Sequence, residues 1–235
     1  MRVGIIGPMI EEVTLLLKAI TNQSETTLGG RQYISGNYKN HEVVLVKSGI
    51  GKICAAEAAA VLILNFKVDA VINTGCAGGI GEGMHIGDIV LSTKLAYHDF
   101  DLKLFGYKRG QVPEYEQYFV ADPHLVETAQ NAAASLKAAG NFEPNVRTGV
   151  VLSGDQFISD KAKCLDMKKD FPEAQVTEME GAAVAQVCND FKVPCLIIRS
   201  ASDTAEGEAP ELFEQFVQLA ADNSAKLLLA TIEQL

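Results

Sequence analysis

Five apolar runs in this sequence end in the same way, in small residues followed by a polar or acidic side chain. They are Ile5-Ile-Gly-Pro-Met-Ile-Glu-Glu12, Val46-Lys-Ser-Gly-Ile-Gly51, Ile72-Asn-Thr-Gly-Cys-Ala-Gly-Gly79, Val151-Leu-Ser-Gly-Asp-Gln-Phe-Ile158 and Ile198-Arg-Ser-Ala-Ser-Asp203. Val43-Val-Leu-Val46 and Cys195-Leu-Ile-Ile198 are continuous rather than alternating, as strands buried on both faces require. Strands are predicted at Val3–Ile6, Gln32–Ser35, Val43–Lys47, Ala70–Thr74, Asp88–Ser92, Gly149–Leu152 and Cys195–Arg199. Helical spacing predicts Glu11–Ile20, Lys52–Asn65, Pro123–Ala139, Lys161–Lys169, Glu178–Phe191 and Glu211–Ile232, the last with Leu212, Phe216, Leu219 and Asn223 on one side. Short strands alternating with longer helices make an α/β domain with a central sheet. In an open sheet of this class ligands bind outside the carboxyl ends of the strands, so these Gly, Ser and carboxylate side chains converge on one pocket.

Residues 98–120 are a long aromatic-rich connection without period, and loops of that length inside compact domains usually carry function. No internal repeat or Pro/Ser-rich linker interrupts the chain, so residues 1–235 read as a single domain. Acidic residues outnumber basic ones by 30 to 20, a formal charge of −10, which argues against nucleic acid or an anionic membrane surface as the main partner. The apolar stretch from Ile53 to Phe66 carries Glu57 and is too short to span a bilayer, and Gly4, Gly7 and Pro8 break the amino-terminal one. The five cysteines are odd in number and lack CxxC spacing, and the four histidines never form HExxH. A reducing cytoplasm and no metal site are the expectation.

Several segments could carry chemistry. Gly75 to Gly87 holds six glycines in thirteen residues, which read equally as tight turns or as close backbone approach to a ligand, and tight turns are the simpler account. Gly49-Ile-Gly51-Lys-Ile-Cys54 falls one glycine short of the dinucleotide fingerprint, with Asp69 near the position of the ribose acid. Glu178 reads as an acid complementing a helix dipole. Glu180 heads an apolar stripe through Val184, Val187 and Phe191, where a carboxylate is costly unless paired or bound. Asp203 follows the strand ending at Arg199, beside Ser202, and of the adjacent Glu11 and Glu12 only one can point inward. Three inward acids from distant segments suit proton transfer and a cationic transition state.

With these residues in place, the chain resembles the bacterial 5′-methylthioadenosine/S-adenosylhomocysteine nucleosidases over nearly its whole length. The likeness rests on GIIG-x-M-x-EEV at 4–13, KSGIGK at 47–52, INTG-x-AGG at 72–79, YHDxD at 97–101, FGYxxGQ-x-P at 105–113, SGDxFI at 153–158, TEMEGAA at 177–183 and RSxSD at 199–203. It implies a three-layer α/β/α sandwich around a mixed, largely parallel sheet. It also implies hydrolysis of the N-glycosidic bond of 5′-thio-substituted adenosines, and of 5′-deoxyadenosine, without metal or organic cofactor.

By the same resemblance Asp203 protonates adenine, Glu12 activates water with Arg199 helping to position it, and Glu180 holds the ribose hydroxyls with Met179 packed beside it. Glu178 joins that substrate site. Ala77, Gly78, Phe157 and Ile158 enclose the base, and Met9, Ile50 and Phe213 line the pocket for the 5′ group. Phe105, Tyr107 and Pro113 of a neighbouring copy complete it, implying a homodimer. Ser202 and Cys76, the latter where serine is usual, would tune Asp203 by hydrogen bonding. A phosphorylase of the same superfold is the first alternative, yet no arginine lies between Arg2 and Arg31, and Asn73 stands before Thr74-Gly75 where such enzymes carry arginine. A non-catalytic nucleoside-binding protein and a dinucleotide-dependent oxidoreductase are the others.

Overall fold

The computed structural model describes residues 1–140, 142–205 and 209–235. The strands are β1 (Arg2–Gly7), β2 (Thr21–Leu28), β3 (Arg31–Tyr38), β4 (His41–Lys47), β5 (Ala70–Gly79), β6 (Ile89–Tyr97), β7 (Phe119–Val120), β8 (Val146–Ser153), β9 (Ala174–Glu178) and β10 (Cys195–Asp203). The helices are α1 (Ile10–Ala19), α2 (Lys52–Phe66), α3 (Pro123–Ala138), α4 (Lys161–Asp170), α5 (Gly181–Phe191) and α6 (Ala209–Glu233). Helices cover both faces of the sheet, with α1, α3 and α6 packed together on one and α2 with α5 on the other.

The strand order is β10-β6-β8-β9-β5-β1-β4-β3-β2, and β10 pairs a second time, with β5. One half of the sheet therefore closes into a ring of β5, β10, β6, β8 and β9, while β1, β4, β3 and β2 extend from it as an open sheet. Register shifts between Ala201 and Asp203, Ser92 and Lys94, and Val150 and Val151 mark where the ring curls, as bulges increase local twist. The α/β class is the one the sequence predicts, and the closed half is an addition to it.

Register brings the strand ends together. Ile6 on β1 lies between Val46 on β4 and Asn73 on β5, and Arg199 on β10 lies beside Gly75 on β5. Ser153 at the end of β8 lies beside Glu178 at the end of β9. β5 and β10 run past their predicted ends to Gly79 and Asp203, so Asp203 is the last residue of its strand rather than a residue after it.

Three strands lie outside the sequence expectation. β2, with the sequence TNQSETTL, is exposed along almost its whole length and has no apolar alternation to reveal it. β7 is a two-residue pairing against β6. β9 occupies ground expected to open a helix: Glu178 belongs to the strand, and α5 starts at Gly181 with Glu180 as its N-cap. On α6 the buried face is also rotated from the predicted one. Leu219 is 48% exposed, while Phe213 and Val217 pack toward Cys76, Ala220 and Ala221.

Candidate active site

A cleft of about 570 Å³ opens at the carboxyl ends of these strands. Its floor is acidic and its mouth apolar: Glu12, Glu178, Glu180 and Asp203 line it below, with Met9, Ile50, Phe157 and Phe213 among the residues above. The rings of Phe157 and Phe213 meet edge to face, 5.7 Å apart at 78°. Cys76, Ala77, Gly78, Ile158, Met179 and Ser202 also line the cleft. Among the described residues that line the cleft there is no lysine or arginine.

Glu12 is the inward member of the Glu11/Glu12 pair, 1% exposed. It stands at the third position of α1, after the N-cap Met9, and its Oε2 accepts the Met9 N–H at 2.7 Å. Its Oε1 accepts the Cys76 N–H at 2.9 Å. Burial raises its pKa to about 7, against the charge of Arg199 and these two amides, which favour the carboxylate.

Glu180 is 3% exposed; its Oε1 accepts the Gly51 N–H at 2.8 Å, and its Oε2 lies 3.2 Å from Arg199 Nη2. Burial again pushes its pKa up to about 7, opposed by Arg199 and supported by the neighbouring Glu178. The stripe that drew attention to Glu180 is buried only at its head: Val184 is enclosed, but Phe191 is exposed.

Glu178 caps α5 from the preceding strand. It accepts N–H bonds from Glu180 at 3.1 Å and from Gly181 at 2.8 and 3.0 Å, and it also takes the Ser153 hydroxyl and the Arg199 guanidinium. The helix-dipole role expected of Glu178 is thus exercised from outside the helix.

Arg199 departs from expectation. It is fully buried and does not line the cleft. Its Nη2 holds Glu178, Glu180 and, at 2.7 Å, Asn73 Oδ1 from behind. Asn73 in turn donates to the Ile6 carbonyl at 3.0 Å, so it serves as a strut between Arg199 and β1. Arg199 therefore orders and charge-balances the carboxylates from behind the wall.

Asp203 is 1% exposed, and burial raises its pKa. Its Oδ1 accepts the Ala205 N–H at 2.7 Å, and its Oδ2 lies 3.0 Å from Ser202 Oγ. Ser202 hydrogen-bonds to Asp203, whereas Cys76 acts on Asp203 only through its charge and makes its hydrogen bonds elsewhere. The amide and thiol of Cys76 bear on Glu12, and its Sγ also donates to the Val217 carbonyl at 3.5 Å. The strand pairing explains this: Asp203 lies opposite Gly78 and Cys76 opposite Ser200, so residue 76 sits nearer Glu12.

Phe105, Tyr107 and Pro113 are absent from the cleft of their own chain. Phe105 ends a short 3₁₀ turn, Lys103–Phe105, and is 76% exposed. Pro8, Gln156 and Thr177 do line the cleft without having been singled out, although Gln156 and Thr177 lie within the SGDxFI and TEMEGAA motifs. Gly75 is the most consequential omission. A methyl group on its Cα would collide with both Glu12 Oε1 and Arg199 Nη1, so only glycine leaves room for that carboxylate and guanidinium to face the same strand. Nothing in the spacing of glycines along the chain distinguishes it from its neighbours.

Among the described residues no group of His, Cys, Asp and Glu is arranged to hold a metal ion, and no helix is long and apolar enough to cross a membrane. Fold and site together define a member of the phosphorylase superfamily, whose sequence model matches residues 2–233. The chain is 41% identical over 235 residues, covering all of both proteins, to 5′-methylthioadenosine/S-adenosylhomocysteine nucleosidase of Shewanella pealeana. The crystal structure of the nucleosidase from Neisseria meningitidis in complex with methylthio-immucillin-A superimposes with a TM-score of 0.96 at 39% identity, covering 100% of this chain and 99% of that one. A futalosine hydrolase of Helicobacter pylori superimposes with a TM-score of 0.94 at 34% identity, covering 100% and 98%. The chain belongs to the 5′-methylthioadenosine/S-adenosylhomocysteine nucleosidase family.

Proposed function

We propose that this protein hydrolyses the N-glycosidic bond of 5′-methylthioadenosine and S-adenosylhomocysteine, releasing adenine and the corresponding thioribose. The observation that carries the reading is the charge of the cleft: among the described residues, four carboxylates and no lysine or arginine line it. Such a wall stabilises a ribose that becomes cationic as its bond to the base breaks, and it repels a phosphate dianion. Water is then the nucleophile.

Asp203, protonated, donates to N7 of adenine as the C1′–N9 bond breaks, so the base leaves as a neutral molecule. Its burial and raised pKa support that role. Water forms the new bond to C1′ and gives its proton to Glu12, whose carboxylate is held by two backbone amides. Glu180 binds the ribose hydroxyls and offsets the positive charge of the ring. The base lies among Ala77, Gly78, Phe157 and Ile158, and the 5′-alkylthio group extends past Met9, Ile50 and Phe213. Solvent then returns the proton from Glu12 and restores that of Asp203.

This chemistry sets a pH dependence. Glu12 and Glu180 both titrate near 7 in the free protein and both act as carboxylates. Protons bind them as pH falls, so kcat/KM is expected to fall below about pH 7. A flat kcat/KM from pH 8 to pH 5 would contradict it.

Exposed Phe105 and Leu104, with Ile53 on α2, support assembly as a homodimer in which Phe105, Tyr107 and Pro113 of each copy close the 5′ pocket of the other. Sedimentation equilibrium is expected to give two copies per particle. Phe105→Ala is expected to raise KM for 5′-methylthioadenosine about tenfold with kcat little changed, the magnitude of losing one apolar contact. A monomer with wild-type turnover would remove this part of the reading. An odd number of cysteines without CxxC spacing supports a reducing compartment such as the cytoplasm.

The function is tested by incubating the protein with 5′-methylthioadenosine, S-adenosylhomocysteine, 5′-deoxyadenosine and futalosine, with chromatographic detection of free base. Adenine is expected from the first two; release of base from futalosine alone would reassign the substrate.

A further inference from the structure

Three of the motifs that mark this family, KSGIGK, YHDxD and SGDxFI, contain charged residues that do not line the cleft: Lys52, Asp99 and Asp155. The structure brings them together. Lys52 Nζ lies 2.6 Å from Asp99 Oδ2 and 3.6 Å from Asp155 Oδ2. The same Asp99 oxygen accepts the Asp155 N–H at 2.9 Å, and Asp155 Oδ1 accepts the Lys52 N–H at 2.9 Å. These contacts form a closed polar ring tying residues 48–52 to residues 154–158. No strand pairing does so.

Both tied segments are walls of the cleft. The first carries Ile50 and the Gly51 amide that donates to Glu180 Oε1 at 2.8 Å; the second carries Phe157 and Ile158. Gly51 holds φ at +100°, a conformation open to glycine, and a Cβ there would stand 3.1 Å from Asp155 Oδ1. The next amide, that of Lys52, is held by Asp155 Oδ1, so Asp155 fixes the chain directly beside the Gly51 N–H. The anchor beneath is rigid. His98 is buried, its ring packs so closely on Gly154 that a side chain there would collide, and the Gly154 N–H donates to the Glu178 carbonyl at 3.1 Å.

We propose that Lys52, Asp99 and Asp155 are positioning residues, a clamp that fixes the Gly51 amide on Glu180 and the Phe157–Ile158 wall over the base. The inference deepens the hydrolase reading above and rests on it for its kinetic consequences. An ion pair of this exposure contributes little stability by itself. Its effect is geometric, and a displacement of about 1 Å in a positioned group can cost roughly 10²-fold in rate.

The test uses the full chain and four variants: Lys52→Met, Lys52→Arg, Asp99→Asn and the Lys52→Met/Asp99→Asn double. With 5′-methylthioadenosine, Lys52→Met and Asp99→Asn are each expected to lower kcat/KM about 10- to 100-fold, with the double no worse than the poorer single. Lys52→Arg, which keeps the charge, is expected to stay within about threefold of wild type. The acid limb of the kcat/KM profile should move to higher pH in Lys52→Met and Asp99→Asn. Glu180 then loses the Gly51 amide that favours its carboxylate, while Arg199, Glu178 and Glu12 continue to face it. A merely structural role would lower thermal stability, leave that limb in place and give additive losses.

Hydrogen exchange of the unliganded proteins gives a second readout, with faster exchange expected at residues 50–52 and 154–158 in the two disrupted variants. Unchanged exchange there, or additive losses with an unmoved pH limb, would overturn the clamp. A wild-type protein that releases no adenine overturns the hydrolase reading instead, and the exchange data then decide the clamp alone.

Discussion

Asp203→Asn is expected to slow adenine release by about 10³-fold while leaving the fold and the affinity for adenine nearly intact. The amide has the shape of the carboxylic acid and can still accept the Ala205 N–H and meet Ser202, so the local contacts survive. It cannot yield a proton to N7, and adenine then has to leave as an anion. The effect should fall on kcat, because only the transition state demands the proton. Single-turnover measurement of free base, with calorimetric binding of adenine as the control, reads both halves. Turnover within about tenfold of wild type would remove Asp203 from the role of acid.

Gly75→Ala is expected to cost at least about 10²-fold in kcat, although it alters no ionisable group. The added methyl would occupy the space between Glu12 Oε1 and Arg199 Nη1. The strand cannot retreat, because β5 is paired through this region with β10, Gly75 opposite Arg199 itself. Glu12 and Arg199 must therefore give way, and Glu12 loses the Cys76 amide that holds its Oε1 at 2.9 Å. The proposed walls of the base site, Ala77, Gly78, Phe157 and Ile158, lie elsewhere, so adenine binding should be retained. Glu12→Gln in the same background supplies the control for a folding defect. If Gly75→Ala acts through Glu12, adding Glu12→Gln should bring little further loss in kcat. A fully active Gly75→Ala protein, or losses that multiply, would contradict the account.

Asp203 and Gly75 also show what a sequence of this kind discloses. Asp203, Glu12 and Glu180 are legible because carboxylates at the ends of apolar runs are costly unless they have a task, and the strand ends must converge in an α/β sheet. That only one of Glu11 and Glu12 turns inward follows from adjacent positions on a helix facing different ways; that it is Glu12 follows only from the resemblance. Gly75 is not legible in that way. Its constraint is set by residues 12 and 199, which meet only after β1, β5 and β10 are aligned. Arg199 is misplaced for a related reason: its position at the end of a predicted buried strand suggests the site, but not that it stands behind the wall. The hydrogen bonds of Cys76 go to Glu12 rather than Asp203 because the register of β5 against β10 decides which acid it reaches.

Secondary structure fails where its signal is weakest. β2 presents polar residues to solvent along nearly its whole length, so no period of two marks it. In TEMEGAA the acids look like a first helical turn, yet Arg199, itself buried, draws Glu178 into β9, and the helix starts beyond it. Tertiary electrostatics override the local pattern there.

The central claim is that the carboxylate-lined cleft directs water, and not phosphate, to C1′ of a 5′-thioadenosine. The most direct measurement follows 5′-methylthioadenosine with the protein in phosphate-free buffer and in phosphate buffer, identifying both products by chromatography and mass. The account predicts adenine and free methylthioribose at the same rate in both. Phosphate-dependent formation of methylthioribose 1-phosphate, or the absence of adenine in either buffer, would contradict it.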